Sequence, residues 1–101
     1  MSSELRKIKL EGSRYSLIRE RDQAGDSGRM LKAIDPETGK QVGEEGEIIL
    51  GCCIQCGSDY ARTMQWQDWW LTTPVTEILE VVSPSEVRLK TNNSVYIVKA
   101  G

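Results

Sequence analysis

Between Glu86 and Lys99, apolar and polar residues alternate on both sides of an Asn92-Asn93 pair. Period-two alternation gives a strand one buried face. Asn tolerates the left-handed backbone that a two-residue primed turn requires. Counting outward from the turn fixes the register. Thr91 meets Ser94, Leu89 meets Tyr96 and Val87 meets Val98 on one side, and Glu86 meets Lys99 as a complementary charge pair on the other. A one-residue slip would turn the whole apolar set into water, so pattern and register support each other. The run Val75 to Val82 joins this hairpin through Ser83-Pro84-Ser85. A three-residue loop sets Val81 against Val87 and Leu79 against Leu89, whereas a two-residue loop would bring Glu80 to the core side. The expected result is a C-terminal three-stranded meander with Leu79, Val81, Val87, Leu89, Tyr96 and Val98 facing the core.

The rest of the chain reads as short strands separated by turns. Leu5 to Leu10 alternates, Gly12-Ser13 breaks it, and Tyr15 to Arg19 follows, which suggests an N-terminal hairpin. Arg21 to Arg29 is polar with two glycines and reads as a loop. Met30 to Ile34 is a further strand, closed by the turn Asp35-Pro36-Glu37-Thr38-Gly39. Glu47 to Cys56 reads as one long strand, with Ile48, Leu50, Cys52, Ile54 and Cys56 on its apolar face. From Gly57 to Thr73 the alternation stops. Ser58 is a candidate cap for a short helix toward Gln67, and the i, i+3, i+4 spacing of Trp66, Trp69 and Trp70 would share one helical face. The expected fold is mainly β: a small twisted antiparallel sheet or partly closed barrel with at most one short helix, closure being one way to hide strand edges.

The chain of 101 residues is enough for one domain, 1–101. A chain of this size buries roughly 60–70% of its unfolded surface, and with no Phe the aromatic area rests on three Trp and three Tyr. Net charge is −2, and the modest basic excess at the N-terminal end lacks the dense stripe that nucleic-acid binding needs. No apolar run approaches a membrane span, and the charged N-terminus does not resemble a signal peptide. Three clustered cysteines fit a reducing compartment, so the expected location is cytoplasmic. His is absent, which removes the commonest general base, and no nucleophile or phosphate-loop motif stands in its place. The expectation is a non-enzymatic protein without a cofactor.

Two clusters could carry function. Cys52, Cys53 and Cys56 offer three thiols without a fourth ligand of usual type, so a zinc site would need Asp59 or a second chain. Cys53 and Cys56 have the C-x-x-C spacing, but on a regular strand they point to opposite faces and cannot bridge. A structural role as small buried hydrophobes weighs against both readings. The second cluster is Trp66-Gln67-Asp68-Trp69-Trp70, a large rigid apolar area with polar handles. At least one of Trp69 and Trp70 is expected in the core, and the others as a recognition surface. The favoured reading is a binding or protein-interaction module in which Tyr60, Arg62, Trp66, Asp68 and Trp69 meet a protein partner or a second copy of the chain. The alternatives are a thiol or metal protein using the cysteine cluster, and a small-ligand binder. Thr72-Thr73-Pro74-Val75 with Glu77-Ile78, followed by Lys90-Thr91-Asn92-Asn93-Ser94-Val95-Tyr96, resembles a pattern in small uncharacterised bacterial and mobile-element-encoded proteins. That resemblance implies an accessory role and no catalytic residue.

Overall fold

The computed structural model describes residues 6–57 and 69–101. Eleven strands are present among them, and no helix: β1 (Lys7–Lys9), β2 (Tyr15–Arg19), β3 (Gly25–Gly28), β4 (Met30–Ile34), β5 (Gln41–Val42), β6 (Glu47–Ile49), β7 (Cys53–Gly57), β8 (Trp69–Leu71), β9 (Val75–Ser83), β10 (Glu86–Thr91) and β11 (Val95–Ala100). They form three antiparallel sheets: a five-stranded one in the order β3-β2-β11-β10-β9, a four-stranded one in the order β5-β4-β7-β8, and a β1-β6 ribbon. Among the described residues none closes into a barrel, so the mainly β fold expected is present in its open form, as small antiparallel sheets. The region given to a short helix, Ser58 to Gln67, lies outside the described residues. None of the helix candidates for membrane spanning exists among the described residues.

The C-terminal meander forms with the expected β10–β11 register, Glu86 against Lys99, Val87 against Val98 and Leu89 against Tyr96. The β9–β10 pairing differs. Ser83 pairs with Glu86 and Val81 with Val87, but Leu89 meets Ile78 instead of Leu79. The register shifts three times, leaving Val82, Leu79 and Thr76 as one-residue bulges. Each bulge kinks the strand and increases its twist. β9 is also the sheet edge, so Val81 stays 45% exposed and Leu79 half-buried, against the expectation that both would be core.

Three other expectations change for identifiable reasons. β1 pairs with β6 and β2 pairs with β11 and β3, so no N-terminal hairpin forms. The polar stretch after Arg21 contains strand β3, because glycine at position 25 allows the chain to lie against β2. A β-carbon there would sit 1.8 Å from the Leu17 carbonyl oxygen. Finally, Glu47 to Cys56 is two strands. Gly51, at a φ of 88°, turns the chain between β6 and β7. This resets the alternation, so Cys52 lies half-buried in the turn and Cys53 is buried with Cys56.

One core unites the sheets. Tyr15, Leu17, Val87, Leu89, Tyr96 and Val98 come from the five-stranded sheet, Leu31, Ile54 and Cys56 from the four-stranded sheet, and Ile48 from the ribbon. β3 runs into β4 through Arg29 alone, so a single bend carries the chain from one sheet to the next.

Candidate functional site

β7 and β8 pair in antiparallel register, Gly57 with Trp69, Cys56 with Trp70 and Gln55 with Leu71. β7 therefore ends, and β8 begins, at the same end of the strand pair. Tyr60, Arg62, Trp66 and Asp68 belong to the 58–68 connection between them and lie outside the described residues. Trp69 is the first residue of β8. Trp69 and Trp70 belong to a strand, not to the helix their spacing suggested.

Trp70 anchors the root of this connection. Its ring packs half-buried against the core, and its Nε1 donates to the Tyr96 Oη at 3.3 Å. Tyr96 itself is buried on β11 and stands opposite Arg19 of β2. The Arg19 guanidinium lies 5.1 Å from the centre of the Trp70 ring, within cation–π range. Asp22 grips the same guanidinium with both oxygens, Nε to Oδ1 at 2.9 Å and Nη2 to Oδ2 at 2.7 Å. Asp22 Oδ1 also accepts the Ala24 amide at 3.1 Å, which ties the pair to the β2–β3 turn. The Arg19 hydrogen bonds, then the Ala24 amide, hold the Asp22 carboxyl down at about 2. Arg19 is raised in turn, chiefly by its hydrogen bond to Asp22.

This assembly is electrostatically closed: the cation is committed to one carboxylate and one indole. It can fix an aromatic side chain in place, and it has no uncommitted base. Next to it, Leu71 is 48% exposed on the edge strand β8.

The cysteines are separated by the fold. β7 pairs with β4 in unbroken register, so Cys53 and Cys56 take opposite faces. All three are free thiols. Burial, and secondarily Asp26, pushes the Cys56 thiol up to about 12, and Cys56 Sγ faces the Asp26 carbonyl at 3.8 Å. Burial also raises Cys53 and Cys52. A raised thiol is a poor nucleophile and a poor metal ligand. Among the described residues no group of three His, Cys, Asp or Glu could hold a metal ion.

Arg19, Asp22, Tyr96 and Leu71 escape sequence reasoning. The Arg19-Asp22 spacing across a turn is a visible local signal. The approach of Arg19 to Trp70 depends on how two sheets pack, and no spacing reveals it. Compared with family models, curated proteins and solved structures, the chain matches none of them.

Proposed function

We propose that the chain is a non-enzymatic protein-interaction module. Its contact surface is built on β8 and the 58–68 connection, with Tyr60, Arg62, Trp66, Asp68 and Trp69 as contact residues and Leu71 at the rim. The observation that carries this reading is the half-exposed Leu71 on a short edge strand that Trp70, on the opposite face, fixes to the core. An exposed apolar residue on a rigidly held strand supplies contact area at small entropic cost. Three free thiols fit a reducing compartment.

Site-specific photocrosslinking in cells tests the reading. A photoreactive residue placed at Leu71 or Trp66 should give a discrete adduct, either with a second copy or with another protein. The same residue at Glu37, exposed in the turn after β4, serves as the control. Adducts no stronger at positions 66 and 71 than at 37 would overturn the proposal. A solution mass that Trp66→Ala changes would identify the partner as a second copy.

A further inference from the structure

Arg14, Ser16, Ser27 and Lys99 line an open cleft of about 320 Å³ on the outer side of the five-stranded sheet. Their placement follows from register. Lys99 on β11 stands opposite Ser16 on β2, and Ser16 opposite Ser27 on β3, so three side chains form a row across three strands. Arg14 precedes Ser16 by two residues and takes the same side. Two reciprocal backbone bonds fix Arg14, from Arg14 N–H to the Gly101 carbonyl at 3.1 Å and from Gly101 N–H to the Arg14 carbonyl at 2.7 Å. Tyr15 and Ala100, between these residues in sequence, pack against the core while still bordering the cleft, as does Gly101.

We propose that this cleft binds a small phosphate group. Among the described residues, Arg14 and Lys99, like Arg6, Arg21, Arg29, Lys32, Lys40 and Lys90, have no carboxylate within salt-bridge distance; what sets these two apart is that the register brings both to one cleft. The Ser16 and Ser27 hydroxyls make no hydrogen bond to described groups, so two cations and two hydroxyls converge uncommitted. A carboxylate is satisfied by one bidentate partner. A phosphate offers several acceptor oxygens and uses all four donors. The volume is at the lower end for small-molecule sites, which fits a phosphate or a compact phosphate monoester. One acid continues the row: Glu86 stands opposite Lys99 on β10. Glu86 therefore opposes the anion, which gives the proposal a variant that should act in the reverse direction.

The test is a titration of the whole chain with inorganic phosphate, O-phosphoserine and serine, followed by amide NMR shifts at low ionic strength. Both phosphates should shift Arg14 to Ser16, Ser27 and Lys99 to Gly101, and serine should not. Arg14→Gln and Lys99→Gln should each weaken binding about five- to tenfold, while Glu86→Gln strengthens it. Ser16→Leu should abolish binding by filling the floor, although it removes no charge. Tighter binding of O-phosphoserine than of phosphate would assign the site to a monoester; equal binding would assign it to phosphate itself. Shifts spread equally over Lys7 and Lys9, or binding that survives Ser16→Leu in a protein with a folded spectrum, would mean diffuse electrostatics and would overturn the proposal.

Discussion

The Asp22 carboxylate accepts three hydrogen bonds, two from Arg19 and one from the Ala24 amide, and these set how the turn after β2 responds to acid. Its native acid constant, about 2, lies below the ordinary 3.8. A depressed carboxyl stabilises the native state above its ordinary value, and that contribution is lost as pH falls through the native one. Between pH 3.8 and about 2, then, Arg19 should lose its clamp and Trp70 its stacked cation. The Asp22 side-chain carbon should titrate near 2 by NMR, with Trp70 emission changing in step; a midpoint near 4 would contradict the clamp. The thiols respond to base with the opposite sign. A raised thiol keeps its proton in the native state, so its stabilisation is complete below about 9 and lost as pH rises toward about 12. Stability should fall across that window. At neutral pH, an alkylating reagent with mass-spectrometric readout should modify half-buried Cys52 first and reach fully buried Cys56 only through unfolding. Early modification of Cys56 would show that β7 is not packed as described.

At the scale of elements, legibility tracks how local the determining physics is. The β10–β11 register was readable because one turn and two alternating runs fix it within fourteen consecutive positions, 86–99. β9 was readable only near its turn. A two-residue turn at Pro84-Ser85 plus the bulge at Val82 gives the same offset as a three-residue loop, so Val81 meets Val87 either way. The next bulge, at Leu79, breaks the count, because bulges answer to twist and edge exposure rather than to alternation. The split between β6 and β7 was hidden for a related reason: Gly51 falls at a position where parity alone continues smoothly. Of the candidate site, the Trp-rich segment was legible from composition, but its Arg19-Asp22 anchor was not. The bulges also make a quantitative prediction. Val82, half exposed at a bulged edge, should accept Thr with a change within about 0.5 kcal/mol. Leu89, fully buried on the neighbouring strand β10, should cost about 2–5 kcal/mol on change to Ala. Urea unfolding of the two variants measures both, and comparable losses would mean that β9 packs as a regular strand. Repeated bulges also blunt β9 as a template for adding another strand, which favours β8 as the interacting edge.

For the whole molecule, the question is which sheet carries the stability and how the others are attached. Hydrogen bonds outside the strand ladders link the pieces. Val75 N–H reaches the Cys52 carbonyl at 3.0 Å and Gly51 N–H reaches the Val75 carbonyl at 2.9 Å, joining the start of β9 to the turn before β7. Gly46 N–H bonds the Leu31 carbonyl at 2.7 Å, tying the ribbon to β4, and Leu10 N–H bonds the Gly46 carbonyl at 2.9 Å, extending the β1–β6 pairing by one residue. These are few compared with the ladder β2-β11-β10, whose inward residues Leu17, Val98, Val87 and Leu89 are completely buried. Local opening should therefore begin where burial is least and end in that ladder. β5, two residues long at a sheet edge, and the exposed strand β1 should exchange their amide protons through local opening. The amides of Ile18, Leu89 and Val98 that bond across the ladder should exchange only with global unfolding, and their opening free energies should equal the unfolding free energy from urea. Native-state hydrogen exchange separates the possibilities. If β1 or β5 were as protected as β11, the ribbon and the four-stranded sheet would belong to one cooperative unit with the ladder. If the ladder opened at lower cost than global unfolding, the shared core would not be what holds the sheets together.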